Sequence, residues 1–166
     1  MKRFSYVSLL AAALIAAGLM TVPTAQAQGT CVDSVTAGGW VETGTDLFAN
    51  FGLNAEDNLT TGVLTGQLDF VNADETCHVV GFEVLSYTIL DDFCREIVYA
   101  VTVNGVEGFT ADVIVCDYGE GVNATPDTFS IAVTNTATGE IVGECGASGN
   151  LIGGNVQLHS AHGNCP

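Results

Sequence analysis

The chain has 166 residues, with 19 Asp and Glu against 3 Lys and Arg, a formal charge of −16, and 48% hydrophobic residues. So acidic a surface repels nucleic-acid phosphate, whose counterions only Lys and Arg displace, and it disfavours anionic lipid headgroups for the same reason. The apolar share excludes an acidic disordered chain, which lacks the residues to build a core.

Met1-Lys2-Arg3 is a short basic start, residues 7–20 are an almost unbroken apolar run, and Ala25-Gln26-Ala27 follows with small residues. These are the three parts of a secretory signal peptide, expected to cover residues 1–27. The run is short for a membrane span, and no stop-transfer charge cluster follows it. Cys31 stands after Gln28-Gly29-Thr30, which is not the setting of a lipidated cysteine. The expectation is therefore free secretion, with residues 28–166 as one domain and no membrane insertion after cleavage. Cleavage removes Lys2 and Arg3, so Arg95 alone faces 19 carboxylates, a formal charge of −18.

From there the pattern is alternation broken by Gly, Asn and Asp. A strand is expected near 32–41. Leu47, Ala49, Phe51 and Leu53 alternate, as do Leu64, Leu68 and Phe70, then Val80, Phe82 and Val84. Ile97, Tyr99, Val101 and Val103 form the next run, followed by Phe109, Ala111, Val113 and Val115. Phe129, Ile131 and Val133 come next, and Ile141-Val142 and Val156 to Leu158 mark the last two. About nine strands at turn-punctuated intervals predict an all-β fold, an antiparallel β-sandwich.

The hairpin around Asn104-Gly105 carries a register argument. Apolar residues on both arms are odd-numbered, so opposed residues need an even sum to share a face. A two-residue Asn104-Gly105 turn pairs Val103 with Val106, an odd sum that would turn Asp112 inward. Parity therefore argues against that turn and for a longer loop, ending at Gly105 or reaching Gly108. Cys94 and Cys116 then lie on one face, opposed or diagonal, within disulfide reach. They are the expected pair. Cys31, Cys77, Cys145 and Cys165 leave three pairings open.

Candidate chemistry is sparse. His159, His162 and Cys165 are spaced three apart, but Gly163 interrupts them and Cys165 is needed for a disulfide, so zinc is not the favoured reading. Gly146-Ala147-Ser148-Gly149-Asn150 misses the nucleophile elbow, which needs glycine where Asn150 stands. It reads as a turn. Carboxylate pairs for glycoside cleavage arise by chance among so many acids. The segment 117–127 is the best ligand candidate. Asp117, Glu120, Asn123 and Asp127 offer hard oxygen donors for calcium. The alternative is a solvated acidic loop, and its spacing is not that of an EF-hand.

Taken together, several short motifs resemble the post-COAP domain, a family of secreted bacterial β-rich domains. They are Gly38-Gly39-Trp40, the stretch from Ala49 to Ala55, and Gly66-Gln67-Leu68-Asp69-Phe70. Further matches are Val103-Asn104-Gly105 through Phe109, the polar loop with Asp117, Gly119, Glu120 and Gly121, Asp127-Thr128-Phe129, and the stretch from Gly153 to His159. The resemblance implies a secreted β-sandwich and supplies no catalytic residues.

The expected function is a secreted, non-catalytic interaction or structural module at the cell surface or outside the cell, with calcium as its one candidate cofactor. A carbohydrate-binding module is the alternative, and a secreted hydrolase comes third. The expected partner is an extracellular protein or glycan. An exposed aromatic row would favour the glycan; Trp40, in its glycine-flanked strand, is expected in the core.

Overall fold

A computed structural model describes residues 31–42, 48–121, 124–160 and 165. The leader at 1–27 lies outside them, as do Leu47, Asn123 and His162. Eight strands follow in order: β1 Val32–Glu42, β2 Phe48–Asn58, β3 Val63–Val71, β4 His78–Ile89, β5 Cys94–Val103, β6 Val106–Cys116, β7 Thr128–Asn135 and β8 Ala147–His159. The helical content among the described residues is one 3-10 turn, Gly143–Cys145.

Each strand runs antiparallel to the one before it, and β8 pairs back onto β1, so one sheet closes into a barrel. Opposite walls meet across a filled interior, as the layers of a sandwich do: Phe51 of β2 stacks on Phe129 of β7 with centroids 3.8 Å apart. The interior is the set of alternating residues. Ala49, Phe51 and Leu53, Ile97 to Val103 at odd positions, Ala111 to Val115, and Phe129 to Val133 are all buried as expected.

The strand count is eight instead of about nine. Ile141 makes a single bridge to Thr134, and the chain then turns at Gly143, so the expected strand at Ile141-Val142 stops after one pair. The segment around Ser148 is not a turn; it opens β8 and pairs Ser148 with Ser130.

β4 departs from simple alternation. Val79, Gly81 and Val84 face inward, while Val80 and Phe82 are exposed. Against β5, Gly81 pairs with Val101 and Glu83 with Ala100, so Phe82 is an extra residue; Leu85 is a second one, between Val84 and Ser86. Each bulge inverts the inside-outside parity once. A period-two reading of Val80, Phe82 and Val84 therefore fails at Gly81.

The β5–β6 hairpin needs a correction of the same kind. Val103 does pair with Val106 across a two-residue turn. Asn104 and Gly105 have φ of 50° and 79°, the left-handed pair that such a turn requires. Parity is restored by a bulge just after it, where Gly108 takes φ 101° and Val101 pairs with Phe109. From there the sum is even, Asp112 opposes Val98 on the outer face, and Cys94 directly opposes Cys116.

Three disulfides tie the ring. Cys94–Cys116 joins β5 to β6. Cys77–Cys145 joins the approach to β4 to the 3-10 turn, and Cys31–Cys165 joins the start of β1 to the chain beyond β8. Bonds of this kind belong to oxidising compartments.

One end of the barrel holds Arg95, the only Lys or Arg among the described residues. Arg95 is 2% exposed. Its Nε donates to Asp33 Oδ1 at 2.7 Å and Nη2 to Asp33 Oδ2 at 2.9 Å. Nη1 donates to the carbonyls of Asp91 and Cys94, and Nη2 also to Ser160 Oγ. All five guanidinium N–H groups are thus used. Tyr87 donates to Asp33 Oδ1 at 2.6 Å. Hydrogen bonding to Asp33 pushes the Arg95 pKa above its ordinary value, so the guanidinium stays charged. Burial, and then the Asp33 carboxylate, push the Tyr87 phenol well above its ordinary range.

Candidate functional site

The acidic loop joins β6 to β7, as its sequence suggested, but its carboxylates have other work. Asp127 is 8% exposed; Oδ1 accepts the Tyr118 N–H at 2.9 Å and Oδ2 the Val156 N–H at 2.8 Å. Its carbonyl accepts the Leu151 N–H at 2.8 Å. Asp117 accepts from Gly119 through Oδ1 and from Leu158 through Oδ2. The reason is a short ladder. β7 and β8 pair only from Thr128 to Ile131, so β8 runs on past Asn150 without a β7 neighbour. The two aspartates satisfy N–H groups of β8 there in place of a strand, since buried backbone donors need partners. Glu120 is exposed and joins neither network; Asn123 is outside the described residues. Among the described residues, no three His, Cys, Asp or Glu side chains converge as a metal cage does.

Of the zinc candidates, His162 lies outside the described residues and the other two are accounted for separately. Cys165 is bonded to Cys31, and His159 is exposed at the end of β8. His78 lies elsewhere, with Nε2 3.1 Å from Asp69 Oδ2 on the surface.

What the fold does bring together is the outer face of β8, β1, β2 and β3. Register sets its side chains in rows across the strands. Gln157, Thr36, Asn54 and Gln67 form one row. Asn155, Gly38, Gly52 and Asp69 form the next, and Gly153, Trp40, Asn50 and Val71 the one after. In the middle row two opposed glycines, Gly38 and Gly52, leave a trough, and a Cβ at Gly52 would meet nothing within 4 Å. Shallow depressions of about 410, 570 and 630 Å³ adjoin along this face; the second shares Thr36 with the first, and Asn54 and Gln67 with the third. Asn54 is oriented by accepting the Gln67 N–H at 2.8 Å through Oδ1.

Trp40 is 53% exposed, so the expected core position is wrong. Val41 next to it is fully buried, and consecutive strand residues face opposite ways. That adjacency was readable in the sequence. The indole lies across β8: a Cβ at Gly153 would come within 2.5 Å of Trp40 Cε3 and 2.6 Å of Cζ3. A side chain at 153 would collide with the Cε3–Cζ3 edge of the indole, so glycine there makes room for the ring. Phe82, 56% exposed, stands at the far end of the face, expelled by its bulge. No periodic pattern could have shown that.

The chain matches no known family profile, no curated protein and no solved structure.

Proposed function

We propose that this is a secreted, non-catalytic interaction module that binds its extracellular or cell-surface partner through the outer face of β8, β1, β2 and β3. The observation that carries the reading is the Gly38–Gly52 trough, flanked by amides and the Thr36 hydroxyl, with the Asp69 carboxylate at one end and Trp40 beside it. Such groups hold and orient a ligand. Secretion is supported by the leader pattern and by three disulfides. A freely dissolved protein is supported by the polarity of this outer face, the reverse of a membrane barrel, whose outer band is apolar. The post-COAP resemblance fits the same reading, because Gly38-Gly39-Trp40 and Gly153-Gly154, two of the motifs that carry it, meet across β1 and β8.

The test fills the trough. Gly52→Tyr should abolish retention of the protein on the washed cells or insoluble extracellular material of the culture that makes it. Ala132→Tyr, on the exposed face of β7, should leave retention unchanged. Equal retention of both variants and the parent would refute the assignment of this face.

A further inference from the structure

We infer that the ligand of this face is a neutral polysaccharide, with Trp40 as the stacking platform and the trough as its track; the inference rests on the reading that this face is the binding surface. The platform comes first. The Cε3–Cζ3 edge of the indole abuts Gly153, whose missing side chain makes room for it, and Trp40 is 53% exposed. An aromatic face carries the negative part of its quadrupole. The C–H groups on one side of a pyranose ring are its natural complement, because they are weakly positive and form a flat apolar patch.

The hydrogen-bonding groups come second. Sugar hydroxyls both donate and accept, and so do the side-chain amides of Asn50, Asn54, Gln67, Asn155 and Gln157. These stand on β8, β2 and β3, three of four neighbouring strands spaced about 4.8 Å apart, in rows on either side of and within the trough. The array therefore runs across the sheet and suits an extended chain better than a single sugar. Asn54, oriented by the Gln67 backbone, presents its amide N–H groups without further ordering.

Charge decides the class of glycan. After the leader the only Lys or Arg is Arg95, buried and fully bonded to its own chain. No Lys or Arg is left to meet a uronate or sulfate, and Glu56 and Asp69 on the face would repel one. A protein partner is the less favoured occupant, since protein interfaces centre on apolar residues with a polar rim, and here the centre is glycine and amide.

The experiment uses the disulfide-intact secreted protein in native gels containing mixed-linkage β-glucan, xyloglucan, galactomannan or xylan, with alginate as the anionic control. Retardation is expected in at least one neutral gel and not in alginate. Trp40 is the only tryptophan, so its emission reports on the platform alone and should shift on titration with the same glycan. Trp40→Ala should weaken binding at least tenfold with an unchanged circular-dichroism spectrum, and Gln67→Ala with Gln157→Ala should weaken it severalfold. Phe93→Ala, exposed but off this face, should not. If no neutral glycan retards the protein or shifts its emission, or if Trp40→Ala binds as well as the parent, the inference is overturned. Should no neutral glycan bind while Gly52→Tyr still abolishes retention on cells, the face stands as a binding surface and its partner is a protein.

Discussion

A guanidinium buried with all five N–H groups satisfied is stable only while its carboxylate is there. Asp33→Ala would leave Arg95 charged, enclosed and without its counterion. Breaking a buried pair from one side costs about 3–5 kcal/mol, so the denaturant midpoint should fall sharply. Adding Arg95→Leu to Asp33→Ala should recover part of the loss, because the uncompensated charge goes with it. A second substitution that gives no recovery would show that Arg95 is not the source of the cost. The sequence hinted at this site: Arg95 has the parity of Ile97 and Tyr99, the core side of β5. Its partner, 62 residues earlier on β1, had no local signal.

At the scale of the element, the loop from β6 to β7 acts as a substitute strand. Asp127 joins the Tyr118 and Val156 N–H groups to one carboxylate. Asp127→Ala leaves the Val156 donor buried and unpaired, which costs about 1–3 kcal/mol. The loss should be the same in calcium and in EDTA, measured by urea unfolding in each. A loss seen only in calcium would instead mark Asp127 as a cation ligand. The four acidic and amide positions were legible as a cluster, but not the use of Asp117 and Asp127, because sequence cannot show that β8 runs on past Asn150, where its pairing with β7 ends at Thr128. β4 and the β5–β6 hairpin teach the same lesson. Their hydrophobic patterns were clear. Single-residue bulges at Phe82, Leu85 and Gly108 moved the parity, and a bulge leaves almost no trace in composition.

For the whole molecule, closure is both hydrogen-bonded and covalent. In the chain-entropy account a disulfide stabilises according to the loop it closes. Sequence separations of 22, 68 and 134 for Cys94–Cys116, Cys77–Cys145 and Cys31–Cys165 correspond to about 3, 4 and 5 kcal/mol. Replacing each pair by Ala should therefore lower stability in that order, as measured by guanidinium unfolding. Alkali should act on the tyrosines. Burial raises the pKa of Tyr99, and burial with Asp33 raises that of Tyr87. The folded state thus holds protons that the unfolded chain releases near its ordinary value of about 10. That stability is fully present below pH 10 and declines as pH rises above it. Melting temperatures taken from pH 8 to 11 should fall above pH 10, and less steeply for Tyr87→Phe.

The sequence by itself determined that this chain is all-β, which residues of most strands face inward, and that Cys94 meets Cys116. Each of these follows from period-two patterning, which is a local property of an extended backbone. Only the tertiary structure decided that the sheet closes on itself through β1 and β8, because a sandwich and a barrel require the same alternation. It also decided the other two disulfides, the Asp33–Arg95 pair, and the row that runs from Gln157 through Thr36 and Asn54 to Gln67. These join residues far apart in the chain, and their meeting depends on the registers of several strands at once. Trp40 stands between the two cases. Its outward direction follows from its buried neighbour Val41, but the room its indole occupies exists only because β8 places Gly153 at the ring's edge.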